Sequence, residues 1–196
     1  MGVIPGRLVA HDAYKAGWRG WRLITIVAIA RAESGWNTTA RNHTSIEDSR
    51  GLTQINVYAH PWGANINLYN GEVNMGAALR VYREAGSSFT PWSVYLHCTY
   101  GRYVDDAIKA VRDNGQGRSL EAEIAAAAHA RSKGCGTDTT IVEVAVGQLS
   151  AALGHAIVIG FAPDAQVDYA DRGVRRGRRL VRHYSNLTLS TLRRHM

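Results

Sequence analysis

The run AIARAESGWN, residues 28–37, carries a carboxyl group, Glu33, at the end of an apolar stretch, followed at once by serine, glycine and tryptophan. Taken as a helix, RLITIVAIARAE puts Leu23, Ile26, Val27 and Ala30 on one stripe, with Glu33 next on the same side. A carboxyl that points where apolar groups point has its charged form disfavoured, so its pKa rises and it holds a proton near neutral pH. That is the chemistry of a general acid. The competing reading is a helix-end glutamate reaching out to water, and periodicity alone favours it.

Residues farther along reverse that preference. GLTQIN spans Gly51 to Asn56 and brings Gln54 21 residues after Glu33. NLYNGEVNMGAALRVYREAG follows, in which Asn74 is expected to open a helix, and then FTPWSVYLHCTYGRYV. In this order, ESGWN, GLTQIN, the NxxxA helix and the aromatic PWSVY segment resemble the lytic transglycosylases with the goose-type lysozyme-like fold, especially the forms found in phage virions and lysis proteins. The resemblance covers residues 6–112 and is carried by the order and spacing of the motifs, since any one of them alone is weak.

What the resemblance implies is specific to positions. Glu33 is the expected sole catalytic acid and base, protonating the oxygen between N-acetylmuramic acid and N-acetylglucosamine. Ser34 is expected to help hold the sugar, or else to cap the helix end. Gly51 lets the next segment pass close to the site, and Gln54 and Asn56 bond the glycan or brace the cleft. Thr53 stands where the family commonly has methionine. The family's Ala-Tyr-Asn segment, whose tyrosine hydroxyl approaches the glutamate, is replaced here by WSVYLHCTY. Tyr95 is the first choice for that role and Tyr100 the alternative. Trp36 and Trp62 are expected to line the cleft and Trp92 to sit in the core. No cofactor is implied. His43 and His97 have no partners at ligand spacing, so no metal site is expected.

The outcome of cleavage turns on whether a second carboxylate faces Glu33. Glu47 and Asp48, in the polar loop RNHTSIEDSRG, are the candidates. The favoured reading is a solvated acidic pair beside Arg50, which leaves Glu33 to act alone and give a 1,6-anhydro product. If Asp48 positions a water, the same fold works as a muramidase hydrolase. A third possibility is a structural virion component that has lost activity, against which stand Glu33 within ESG and Gln54 within GLTQIN.

The elements that must position these residues are mainly α-helical. A lysozyme-like catalytic domain over 1–112 is expected to end at DNGQG, Asp113 to Gly117, a turn-rich stretch that reads as a hinge. A small α or α+β appendage follows over 113–196. In it, Ser119 can N-cap a helix through LEAEIAAAAHARSK that stops at Gly134. TTIVEVAV and HAIVIGFA read as strands. Read instead as one apolar span, the region would have to bury Glu143, Gln148 and His155, so a transmembrane segment is not expected.

The chain has 196 residues, 45% of them hydrophobic, enough for one good core or one core plus an appendage. A net charge of +7 points to anionic partners. The expected partner is the peptidoglycan glycan strand. From Arg172 to Met196 there are eight arginines and no acidic residue. This tail is a candidate anchor for anionic envelope polymers or a docking surface for other virion proteins. Nucleic acid is not expected, because helix-turn-helix, zinc and aromatic RNA-binding motifs are missing. Cys98 and Cys135 are expected to be buried free thiols rather than a pair. The N-terminal stretch MGVIPGRLVAHDAYKAGWRG lacks the apolar core of a secretory signal. The expected place of action is a virion or the bacterial wall.

Overall fold

The computed structural model describes residues 2–135, all within one compact unit, Met1–Val142. The expected strands at 139–146 and 155–162 and the arginine-rich tail lie outside the described residues. The fold is mainly helical, as the sequence implied, and it also holds a small sheet. Among the described residues six α-helices run in order: α1 (Gly6–Lys15), α2 (Gly20–Ser34), α3 (Gly71–Glu84), α4 (Ser93–Leu96), α5 (Val104–Asn114) and α6 (Leu120–Ser132). Between α2 and α3 lies an antiparallel sheet of β1 (Arg41–His43), β2 (Asp48–Arg50) and β3 (Ile55–Asn56).

Helix α2 is the central element of the described residues. Every residue from Leu23 to Ala30 is buried, so the helix is enclosed on all sides rather than along one stripe. It packs against α1, α5 and α6 and against a 3-10 turn at Thr99–Tyr103. Gly35, in the left-handed conformation at φ 63°, ends α2 by returning its N–H to the Arg31 carbonyl. The apolar residues stop there, and Glu33 lies in the turn where the buried helix emerges.

Two elements differ from the sequence reading. The polar segment after Trp36 is a hairpin, with Arg41 opposite Arg50 and His43 opposite Asp48, closed by the Thr44 N–H on the Glu47 carbonyl. Its strands lack alternating apolar residues because β1 is exposed throughout, which hid them. Helix α3 opens not at Asn74 but at Asn70, whose side chain accepts from the Val73 N–H. Asn74 is fully buried inside the helix.

Beyond residue 112 the chain continues into the same core. Gly115 ends α5, and Gly117 packs so closely on α1 and α2 that a Cβ there would meet Leu23 Cδ2 at 2.7 Å and Tyr14 Cδ2 at 2.8 Å. DNGQG is therefore a packed turn and not a free hinge. Ser119 caps α6 as expected, accepting from the Ala122 N–H. The helix then lays Ala122, Ala126 and Ala130 into the core beside α2. Arg112 Nε bonds Glu123 Oε1 at 2.9 Å, joining α5 to α6. Cys98 and Cys135 form a disulfide, contrary to the free thiols expected. The left-handed Gly134 turns the chain back so that Cys135 lies over Gly101, where any side chain would collide with it. A sequence separation of 37 gave no hint of that approach.

Candidate active site

The GLTQIN loop is built into place beside the end of α2 by buried polar bonds. Gly51 has φ 75°, and a Cβ there would stand 2.1 Å from the Leu68 carbonyl oxygen, so only glycine fits. The Asn74 side chain is the hub. Its Oδ1 accepts from the Thr53 N–H at 2.9 Å and the Thr53 hydroxyl at 2.7 Å, and its Nδ2 donates to the Arg50 and Leu68 carbonyls at 3.0 Å each. Trp92 Nε1 donates to the Thr53 carbonyl at 2.9 Å, tying the loop to the aromatic segment. The threonine at 53 thus supplies a hydroxyl to the hub, a bond methionine could not make. Sequence reasoning missed Asn74 as the centre of this network. The available signal was a polar residue in phase with the buried Ala78 and Tyr82.

Ser34 and the loop meet directly. The Ser34 hydroxyl is shared between the Ala30 carbonyl at 3.0 Å and the Leu52 carbonyl at 2.8 Å. Gln54, held at φ 49°, donates through Nε2 to the carbonyls of Gly51 at 2.8 Å and Ala40 at 3.3 Å. Asn56 lies opposite Ser49 on β3, and its Oδ1 accepts from the N–H groups of Asp48 and Tyr58, so it braces the sheet.

The Glu33 carboxyl is half-buried, and burial raises its pKa to about 7, with the negative charge of Glu47 adding to the rise. No described residue hydrogen-bonds or pairs with it. Glu47 is held by Asn42 Nδ2 at 2.9 Å and by the Ser49 hydroxyl at 2.6 Å. Asp48 is only 2% exposed and is bonded by both Arg41 and Arg50, which hold its carboxyl well below the usual range. The expected solvated acidic pair is thus two different groups, one buried between arginines and one acting on Glu33. Asp48 is not placed to activate a water, because two guanidinium groups hold it as a spent anion.

Tyr95, Tyr100 and Trp92 are bound into the core, and Trp36 and Trp62 pack half-buried against it. Tyr95 is nearly buried, its hydroxyl 2.7 Å from His129 Nε2 on α6, and burial raises its pKa to about 12. Its ring lies 5.1 Å from that of Tyr100, which is fully buried. The Tyr100 hydroxyl has no partner among the described residues. Burial also lowers His129 to about 4, so this imidazole is neutral. Trp36 donates Nε1 to the Val27 carbonyl at 3.0 Å, lies 4.7 Å below the Arg31 guanidinium and packs on Gly6. Trp62 is covered by Arg80 at 4.2 Å, and Trp92 is in the core as expected. Among the described residues, no cluster of His, Cys, Asp and Glu could hold a metal ion, and no helix is long and apolar enough to cross a membrane.

Residues 10–94 match a family model described as a lysozyme like domain. The matched stretch takes in Glu33, the GLTQIN loop and Asn74 and ends just before Tyr95. Searches among curated proteins and among solved structures found no match.

Proposed function

We propose that this chain is a peptidoglycan lytic transglycosylase in which Glu33 is the general acid and then the base. The observation that carries the reading is a half-buried carboxyl, poised near pH 7, at the end of a buried helix within the stretch similar to a lysozyme-like domain. A carboxyl with that pKa is protonated in a useful fraction at neutral pH and is an effective base once it has given the proton up. Glu33 gives its proton to the glycosidic oxygen as the bond to C1 of N-acetylmuramic acid breaks. The 6-hydroxyl of the same sugar then attacks C1, and the Glu33 carboxylate takes its proton. The products are a 1,6-anhydro ring and a free N-acetylglucosamine end, and no water is consumed.

In this reading Ser34 positions the acid by bonding its helix to the loop. The amide oxygen of Gln54, whose nitrogen is already engaged, accepts from the sugar. Tyr95 has its hydroxyl committed to His129, so the tyrosine role falls to Tyr100. The motif resemblance extends the proposal to a phage virion or lysis enzyme.

A second reading is a muramidase hydrolase, and the observation favouring it is Glu47. Its charge reaches Glu33, and a carboxylate across the site could accept a proton from an attacking water. Mass spectrometry of digested sacculi separates the two. Anhydro ends from wild type and no cleavage by Glu33→Gln are the results expected of the transglycosylase. Reducing ends that vanish in Glu47→Gln would establish the hydrolase instead.

A further inference from the structure

The small sheet carries polar clusters on both faces, and only one of them reaches Glu33. Strand pleating sends alternate residues to opposite sides. Asn42 and Ser49, which hold Glu47, point one way, while Arg41, His43, Asp48 and Arg50 point the other. On this second face Arg41 bonds both oxygens of Asp48, at 2.7 and 3.0 Å, and Arg50 Nε bonds Oδ2 at 3.1 Å. One buried negative charge shared by two guanidinium groups leaves the face with net positive charge. The bonds also fix both guanidinium planes, and each Nη1 still has no hydrogen bond to a described residue.

Two exposed tyrosines lie near the arginines. Tyr58 is 51% and Tyr69 38% exposed, the only exposed tyrosines among the described residues. Both lie within electrostatic range of Arg41, and Tyr69 also of Arg50. The Tyr58 hydroxyl meets His43 Nε2 at 3.3 Å. Nothing in the cleavage chemistry needs this group, and packing does not explain two exposed rings beside a net positive pair. Fixed guanidinium groups with spare donors suit a carboxylate, and exposed rings nearby suit the short chain that carries it. Because the donors are already ordered by Asp48, an incoming anion meets little ordering cost.

We propose that this face is a second binding site, for the carboxylate-bearing peptide stems of the wall polymer. The identity of the ligand rests on the reading of peptidoglycan as substrate; the preference for an acidic peptide rests on the charge and donors of the face itself. The site lies on the opposite side of the sheet from Glu47, so it holds the wall beside the cleaved strand rather than within the cleft.

Calorimetry with full-length Glu33→Gln protein tests this with free acidic stem peptide, with glycan stripped of its stems, and with stem peptide whose carboxylates are amidated. The free acid is expected to bind, more weakly as salt is added, and the amidated peptide to bind about tenfold less tightly. Adding Tyr58→Ser with Tyr69→Ser is expected to weaken the acid about tenfold and leave stripped glycan unaffected. Arg41→Gln is expected to do the same. Since that change also exposes Asp48, the paired tyrosine variant carries the decision because both rings are on the surface. Equal binding of acid and amide, or unchanged binding by the tyrosine variant, overturns the site. Cleavage of sacculi by wild type is scored separately. Stem binding lost in the variant while wild type cleaves nothing would sink the enzymatic reading and leave this site standing.

Discussion

The Ser34 hydroxyl donates to the Leu52 carbonyl across 2.8 Å, so the residue next to Glu33 is bonded directly to the loop that carries Gln54. Two segments 18 residues apart are thereby tied together, and the position of the carboxyl is coupled to the loop. Ser34→Ala is expected to cost about 1 kcal/mol of stability, the worth of one such bond. Turnover should fall more than stability does, because misplacing an acid by a fraction of an ångström is costly. Thermal melts together with initial rates on purified sacculi check both, and a variant with unchanged turnover would remove Ser34 as a positioning residue.

Glu33 sets a pH signature with a definite sign. Its pKa is raised from 4.5 to about 7 in the folded chain, so the protonated acid is lost as pH rises through 7 and cleavage should fall with it. Glu47→Gln removes a like charge, lowers the pKa of Glu33 and should move this limb of the profile to lower pH. Burial, the larger cause, keeps part of the shift. The pH dependence of kcat/KM for the two proteins is the measurement, and coincident profiles would uncouple Glu47 from the site.

The same shift appears in stability. An unfolded glutamate releases its proton near 4.5 and the folded one near 7, so the contribution of Glu33 to stability is fully present below 4.5 and is lost as pH rises through 7. Glu33→Gln, which cannot ionise, should therefore melt higher than wild type at pH 8 and about level with it at pH 4. Equal melting temperatures at both would mean that the carboxyl is not desolvated.

Asn74→Ala removes all four bonds of the buried hub, leaving the Thr53 N–H without its partner and taking a donor from each of the Arg50 and Leu68 carbonyls. The expected loss is about 3 kcal/mol, in the range for buried donors and acceptors left unsatisfied. Urea titration gives the value. A loss below about 0.5 kcal/mol would show that water replaces the side chain and that the loop does not depend on it.

Tyr100→Phe separates packing from chemistry. The hydroxyl is buried without a partner, so its removal should leave stability unchanged or slightly higher. If the hydroxyl serves Glu33, turnover should nonetheless fall about a hundredfold or more, the loss typical of removing one donor that acts in the reaction. Unchanged turnover would make Tyr100 a core residue only.

A fragment of residues 1–112 should lack native tertiary structure, whereas 1–142 should keep it. The shorter piece loses the alanine face of α6, the Arg112–Glu123 bridge and the His129 partner of Tyr95. It also loses the disulfide, which closes a span of 37 residues and by loop-closure entropy alone contributes about 3–4 kcal/mol. Near-ultraviolet circular dichroism of the two fragments decides, and a native spectrum from 1–112 would restore the boundary drawn from the turn.

The amino-acid sequence by itself determined the elements whose causes are local. A run from Leu23 to Ala30 that is apolar except for Thr25, closed by Ser34-Gly35, makes α2, and Ser119 with its alanines makes α6, because burial pattern, propensity and capping act within a few residues. The same locality put Glu33 at the rim of the core and Gly51 in a conformation only glycine reaches easily. Tertiary structure decided everything that depends on residues far apart in the chain. Asn74 became a hub rather than a helix start because the loop from Arg50 to Thr53 folded over it. Asp48 and Glu47, neighbours in sequence, were sent to opposite faces by one step of the strand, so one is neutralised by arginines while the other acts on Glu33. Tyr95 was given to His129, and Cys98 to Cys135, by a helix that the turn at Asp113–Gly117 folds back onto the core. These pairings depend on desolvation and close approach across the fold, and neither leaves a periodic trace in the sequence.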